Sequence, residues 1–172
     1  MNTRVAVIGA GAWGTAVAKI VADKGHDVWI WSYEEETVDN INKDHCNERF
    51  LPGIMLPKNL KATSDACACA EGADFIILAS PSLFLVSTIK GMLQANSVKE
   101  GKAVIGVITK GFIPSPAGPR LIVETLEEAL PKSYKGSLVY ISGPSHAEEV
   151  ATGKITGLIA ASENAKNSIR FR

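Results

Sequence analysis

The sequence predicts an α/β fold, a doubly wound and mostly parallel sheet with helices on both faces. Three observations predict it. Short apolar runs rich in β-branched residues alternate with stretches of helical spacing along the chain. The runs are apolar on both of their alternating faces, as a parallel strand covered by helices on each side requires. The glycine-rich run Gly9-Ala10-Gly11-Ala12-Trp13-Gly14 joins the first of these strands to the first of these helices.

In chain order, residues 4–8 read as the first strand and residues 15–24 as the first helix, with Gly25 as its stop. Residues 27–31 form the second strand. Glu34-Glu35-Glu36 mark a helix start, where carboxylates suit the positive end of the helix dipole. Residues 45–61 are polar and irregular, with Pro52-Gly53 and Pro57 as breakers. A short helix over 64–71 leads to a strand over 74–79, which Ser80-Pro81-Ser82 closes. A helix over 83–93 and a buried strand over 103–109 follow. The loop 111–119 carries three prolines and two glycines, and residues 120–130 are helical. Residues 137–142 and 156–161 are further strands, with a short helix between them that starts near His146. There is no internal repeat.

Composition sets outer limits on function. The 172 residues, 46% hydrophobic and 21% charged, suit one domain-sized core. Eighteen basic and eighteen acidic residues cancel, so no global field favours nucleic acid or a membrane surface. An anionic ligand must then be held by a local site. The chain shows no charged-then-apolar leader and no apolar run approaching membrane-spanning length, so the expectation is a cytoplasmic protein without membrane insertion. Cys46, Cys67 and Cys69 lack the spacing of zinc or redox sites and read as reduced structural thiols, and no metal is expected.

The glycine-rich run carries the first functional expectation. A glycine-rich turn alone is a weak signal, but here strand, turn, helix and second strand are all in place. Gly9 can make the tight turn, Gly11 removes the Cβ that would block a phosphate, and Gly14 lets the helix pack closely on the strand. The free N–H groups at the helix start then face an anion. This is a Rossmann-like arrangement, and it points to dinucleotide binding. Glu34 stands twenty residues after Gly14, near where an acidic side chain meets an adenosine ribose. A carboxylate accepts from the 2′-OH of NAD and repels the 2′-phosphate of NADP, so NAD is favoured and NADP stays open. Glu34 as one of three solvated acids at a helix start is the other reading.

Ligands in such sheets bind at the carboxyl ends of the strands. That rule selects the glycine-rich run, Ser80 to Ser82, and the segments after Thr109 and Ser142. Lys110 ends a strand, and an ammonium there can bind phosphate or a polarised carbonyl, although a lysine in this place is also an ordinary surface group. In Ser142-Gly143-Pro144-Ser145-His146-Ala147-Glu148-Glu149, Ser145 and Glu148 have the spacing of a capping box. The same turn and helix start can instead offer N–H donors and a hydroxyl to a small polar substrate. No carboxylate is placed by the sequence to orient His146, which reads as a loop histidine.

Gly9-Ala10-Gly11-Ala12-Trp13-Gly14-Thr15-Ala16, Phe50-Leu51-Pro52, Thr109-Lys110-Gly111 and the segment Ser142 to Glu149 resemble, in order and spacing, the bacterial-type NAD(P)-dependent glycerol-3-phosphate dehydrogenases. The resemblance covers the whole chain. It implies reversible hydride transfer between NAD(P)H and dihydroxyacetone phosphate, yielding sn-glycerol 3-phosphate for phospholipid synthesis. It further implies a cofactor site lined by Ala12, Trp13, Tyr33, Phe50, Lys110 and Ala147 beside Gly9, Gly11, Gly14 and Glu34. Lys110, Gly143 and Ser145 would meet a small phosphate substrate, and a homodimer stays open.

Two departures bear on the cofactor. Many members have serine where Ala12 stands, and members that accept NADP often carry histidine and arginine where Tyr33-Glu34 stand. The family plan also has a helical second half that supplies the proton-transfer lysine. Residues 1–162 would be the cofactor domain and 163–172 the start of a truncated helix or linker, with that lysine beyond Arg172 and no catalytic residue assigned. Lys166-Asn167 reads as a surface pair. Such a chain should bind cofactor better than it turns over substrate, since general acid–base catalysis alone contributes about 10²–10⁴-fold. The alternatives are a hydroxyacyl-CoA dehydrogenase or ketopantoate reductase relative, and a non-catalytic dinucleotide-binding module.

Overall fold

The computed structural model describes residues 3–172. Its strands are β1 (Arg4–Ile8), β2 (Asp27–Trp31), β3 (Leu60–Thr63), β4 (Phe75–Leu78), β5 (Val104–Val107), β6 (Val139–Ser142) and β7 (Ile159–Ala161). They form one sheet in the order β3-β2-β1-β4-β5-β6-β7, parallel throughout except for the antiparallel β6–β7 pair. After β1 the chain winds outward through β2 and β3, then crosses back to place β4 on the other side of β1. The strand order therefore reverses between β1 and β4, and a crevice opens there at the carboxyl ends. The predicted doubly wound, mostly parallel α/β sheet is the one found.

The helices are α1 (Ala12–Asp23), α2 (Glu35–Asp39), α3 (Ala66–Ala70), α4 (Leu85–Met92), α5 (Asn96–Lys99), α6 (Ile122–Ala129), α7 (Ala147–Ala151) and α8 (Ala165–Phe171). The two-residue periodicity of β1 divides the core. Val5 and Val7 face α1, where they pack with Val17, Ala18 and Ala22. Ala6 and Ile8 point the other way, into the cluster that holds Leu85 and Ile89 of α4 and Leu126 of α6. Because β1 and β4 are covered on both faces, they lack the apolar-polar alternation of a half-exposed strand. In this second cluster, burial pushes the Cys69 thiol up to about 12, with Arg4 opposing the shift. It is an inert structural thiol.

Several elements differ from the sequence reading. Edge strand β3 begins inside the stretch read as irregular, because its four residues Leu60-Lys61-Ala62-Thr63 contain only one β-branched side chain. α5 is a single turn, too short to show periodicity. α2 continues into a one-turn π-helix over Asn40–Asp44. α6 begins at Ile122, and the preceding Arg120 instead pairs with Ile113 across the loop. The anticipated capping box does not form: α7 begins after His146, and the Ser145 hydroxyl lies 3.5 Å from the Gly143 carbonyl. α8 docks on the sheet. Its Phe171 ring meets Phe75 edge-on at 5.1 Å, and the Asn167 amide donates to the Ser137 carbonyl at 2.9 Å.

The tightest constraint lies where α1 crosses β1. A Cβ on Gly14 would fall 1.9 Å from the Gly9 carbonyl oxygen, so only glycine fits there. Gly9 has φ of +126°, and a Cβ on it would meet the Ser80 backbone nitrogen at 2.6 Å. Gly14→Ala must push α1 away from the sheet, and it is expected to cost about 2–3 kcal/mol in urea unfolding. A variant as stable as the parent would contradict this packing.

Candidate functional site

The carboxyl end of β1 turns at Gly9 and enters α1 at Ala12. Gly11 precedes the helix with φ of −66° and ψ of 177°, and no side chain caps the first turn. There is also no acidic residue in that turn. The N–H groups of the first turn lack intrahelical acceptors, and the dipole end is positive. A Cβ on Gly11 would meet nothing within 4 Å. Glycine here is therefore not demanded by packing, and its missing Cβ leaves open space directly in front of the helix start. That space fits a phosphate group.

A second segment fixes this turn from outside. The π-helix after α2 ends at His45, whose left-handed φ of 53° turns the chain back toward the glycines. Asn47 is buried, and its Nδ2 donates to the Ala10 carbonyl at 2.9 Å and to the Thr15 hydroxyl oxygen at 2.8 Å. The Thr15 hydroxyl in turn donates to the same Ala10 carbonyl. The backbone then tightens at once, with Leu51 N donating to Asn47 O at 2.8 Å and the Leu51 side chain buried. Phe50 and Arg49 sit on this anchored turn.

The ends of β4 and β5 form the opposite wall. The Ser80 hydroxyl donates to the Ile8 carbonyl at 3.0 Å, and the Thr109 hydroxyl donates to the Ser80 carbonyl at 2.8 Å. These two bonds tie the tips of three adjacent strands, and Lys110 follows immediately. α7 comes in from the other end of the chain. Ala147, Val150 and Ala151 pack against Ala12, Trp13 and Ala16 of α1, and the small side chains of Ala12 and Ala16 permit the approach.

A cleft of about 330 Å³ results, walled by Gly11, Ala12, Trp13, Ser80, Thr109, Lys110, Ser145 and Ala147 among others. Lys110 is the only charged residue in its walls, so the local potential favours an anion in a chain of zero net charge. A larger hollow of about 570 Å³ lies beside α6, β6 and β7. Its only charged wall residues are Glu127 and Glu163, which repel a phosphate. The smaller cleft is therefore the better candidate, and it is the one at the switch point.

Of the residues singled out in the sequence, Gly11, Ala12, Trp13, Lys110, Ser145 and Ala147 come together around this cleft. Gly9 and Gly14 shape the turn beneath it. Tyr33, Glu34 and Phe50 lie beyond its walls. At the end of β2, the Ser32 hydroxyl donates to Glu34 Oε2 at 3.0 Å, and Arg49 Nη2 lies 3.9 Å from Glu34 Oε1. Tyr33 is 82% exposed. Gly143 does not wall the cleft: a Cβ there would fall 2.3 Å from the Gly157 carbonyl, so close backbone packing explains it. His146 is exposed and outside the cleft walls. Glu149 is held below the usual carboxylate range by its hydrogen bond to Lys154 and by that lysine's charge.

Asn47, Ser32 and Arg49 were absent from the sequence reading. A buried asparagine two residues after a left-handed residue leaves no periodic signal, and the acceptors of its Nδ2 are more than thirty positions away. Among the described residues, no group of three or more His, Cys, Asp or Glu side chains is placed to hold a metal ion. No helix among them is long and apolar enough to cross a membrane.

A glycine turn at a helix start, at the switch point of a parallel sheet, defines the Rossmann-like dinucleotide-binding class. Comparison with known proteins narrows this. The family described as the NAD-dependent glycerol-3-phosphate dehydrogenase N-terminus matches residues 4–168. The glycerol-3-phosphate dehydrogenase [NAD(P)+] of Treponema denticola is 48% identical over 178 aligned positions, which cover 100% of this chain and 50% of that protein. The crystal structure of glycerol-3-phosphate dehydrogenase from Coxiella burnetii superposes with a TM-score of 0.85 at 34% identity, over 99% of this chain and 50% of that one. A ketopantoate reductase from Ralstonia eutropha shares the fold alone, at 20% identity and a TM-score of 0.62, over 84% of this chain and 42% of that one. The chain belongs to the NAD-dependent glycerol-3-phosphate dehydrogenase family and corresponds to its N-terminal part. It spans about half the length of the curated relatives it matches.

Asn47→Ala would leave the buried Ala10 carbonyl without its amide donor. The expected loss is about 1–3 kcal/mol by chemical denaturation, and a near-neutral result would show that the 45–56 loop does not brace the glycine turn.

Proposed function

We propose that this chain is the cofactor-binding part of an oxidoreductase that interconverts sn-glycerol 3-phosphate and dihydroxyacetone phosphate with NAD or NADP. The observation that carries the proposal is the convergence of Gly11, Ala12, Trp13, Lys110, Ser145 and Ala147 on one cleft at the switch point. Membership of the family supplies the reaction. The open space in front of Gly11 and the uncapped helix start fit a pyrophosphate.

A nicotinamide group bound there supplies or accepts a hydride. The residues of this chain do the rest of the binding. The first turn of α1 holds the pyrophosphate through N–H groups that nothing else engages. Glu34, oriented by the Ser32 hydroxyl, accepts from a ribose 2′-OH. Tyr33 and Phe50 flank the adenosine. Lys110 sets its ammonium over the strand tips, where it binds a substrate phosphate or polarises a carbonyl. Ser145 offers a hydroxyl whose only partner among the described residues is a carbonyl at 3.5 Å. Gly143 lets the turn bearing Ser145 press against Gly157 and so sets its height.

Residues 1–162 act as the cofactor domain on this reading, and residues 163–172 form the segment that follows it, with α8 folded back against the sheet through Phe171 and Asn167. Cytoplasmic action and a contribution to phospholipid synthesis belong to the same proposal and rest on the family resemblance. A homodimer would draw on the exposed apolar strip Ile155, Leu158 and Ile159.

Gly11→Ala separates binding from folding. The Cβ enters open space, so stability is expected to change by no more than about 1 kcal/mol. Affinity for NADH, followed by its fluorescence, is expected to fall by about tenfold or more, since the methyl group occupies the phosphate position. Undiminished NADH binding in this variant would remove the phosphate cradle from the proposal.

A further inference from the structure

Glu34 alone would make this site selective against a phosphorylated ribose. The structure does not leave it alone. Arg49 Nη2 lies 3.9 Å from Glu34 Oε1, a distance at which charges attract but no hydrogen bond forms. The Ser32 hydroxyl already occupies the other carboxylate oxygen at 3.0 Å. The guanidinium therefore stands within ion-pair range of Glu34 without spending its N–H donors on it. The Arg49 side chain is 57% exposed, and its guanidinium carbon sits 5.1 Å from the centre of the Phe50 ring.

The backbone beneath Arg49 is fixed in relation to the glycine turn. Asn47 ties it to the Ala10 carbonyl and the Thr15 hydroxyl, and Leu51 N closes the turn on Asn47 O at 2.8 Å. The same anchor thus holds the phosphate cradle and the base of Arg49 in register. A planar guanidinium that donates no hydrogen bond among the described residues, held beside Glu34, has the geometry to grip a phosphate in two-point fashion.

We propose that Arg49 reads the 2′ position of the adenosine ribose. With a 2′-hydroxyl present, Glu34 accepts the hydroxyl proton's hydrogen bond and Arg49 balances the carboxylate. With a 2′-phosphate present, Arg49 turns its fork to the phosphate and offsets its repulsion from Glu34. One site then accepts both NAD and NADP, and the discriminating group sits on the 47–51 turn, not at the end of β2. The inference rests on the cofactor reading given above.

The test is titration of the chain with NADH and with NADPH, each followed by fluorescence at fixed ionic strength, for the parent, Arg49→Gln, Arg49→Lys and Glu34→Gln. The parent is expected to bind the two cofactors within about tenfold of each other. Arg49→Gln should lower the NADPH-to-NADH affinity ratio by about tenfold or more, and Arg49→Lys, which keeps the charge but loses the fork, by less. Glu34→Gln should raise the ratio. A parent that discriminates against NADPH by more than that tenfold, or a ratio unmoved by Arg49→Gln in a folded variant, overturns the role of Arg49. Failure of the parent to bind NADH overturns the cofactor reading itself, a distinguishable result.

Discussion

The contact of Gly14 with the Gly9 carbonyl is the constraint on which the site depends. It sets α1 directly over the end of β1, closer than any residue with a Cβ allows. The helix start then opens at the switch point between β1 and β4, so its N–H groups face a crevice and not the core. Gly9 answers the same demand from below, taking a positive φ so that β1 can turn within reach of the Ser80 backbone. Two glycines at the crossing are packed against, while Gly11 is not. That contrast separates three positions only five residues apart: packing explains Gly9 and Gly14, whereas no contact within 4 Å demands glycine at Gly11, which suits the phosphate position proposed there.

Distant segments complete the crevice because α1 offers them small side chains. Ala12 and Ala16 let α7 lie against the helix, which brings Ser145 and Ala147 more than 130 positions along the chain to the glycine turn. Asn47 does the same from the other direction by hydrogen bonding. The hydroxyls of Ser80 and Thr109 lock the tips of β1, β4 and β5 together, so Lys110 leaves the sheet at a fixed place. With no net charge on the chain to gather anions, this placement of one ammonium beside one helix start is what makes the cleft attractive to phosphate.

The sequence made the sheet legible wherever strands are buried on both faces. β1, β4 and β5 are short, almost wholly apolar segments dominated by Val and Ile, and the glycines between β1 and α1 name their own geometry. β3 escaped because an edge strand of four residues, one of them Lys61, carries little of that signal. Six of the singled-out residues meet at the cleft because strand ends in such a sheet must converge there. Asn47 and Arg49 were invisible for the opposite reason. Their loop has no period, and its course is fixed by a side chain bonding to backbone across the fold. The capping box failed because the turn before α7 is shaped by Gly143 pressing on Gly157, which leaves His146, not Ser145, at the helix start.

A division of labour follows from where these loops attach. The cleft is built from strand tips and helix starts, whose positions the core dictates, so its chemistry cannot vary much without loss of the fold. The 47–51 turn is anchored mainly by the buried Asn47 and Leu51, and its exposed Arg49 touches only the Phe50 ring and, at 3.9 Å, Glu34. Substitution at Arg49 therefore changes the charge beside Glu34 at little cost to stability, whereas substitution at Glu34 also releases the Ser32 hydroxyl. On the proposal made for Arg49, choice between the two cofactors is then most easily altered from the turn.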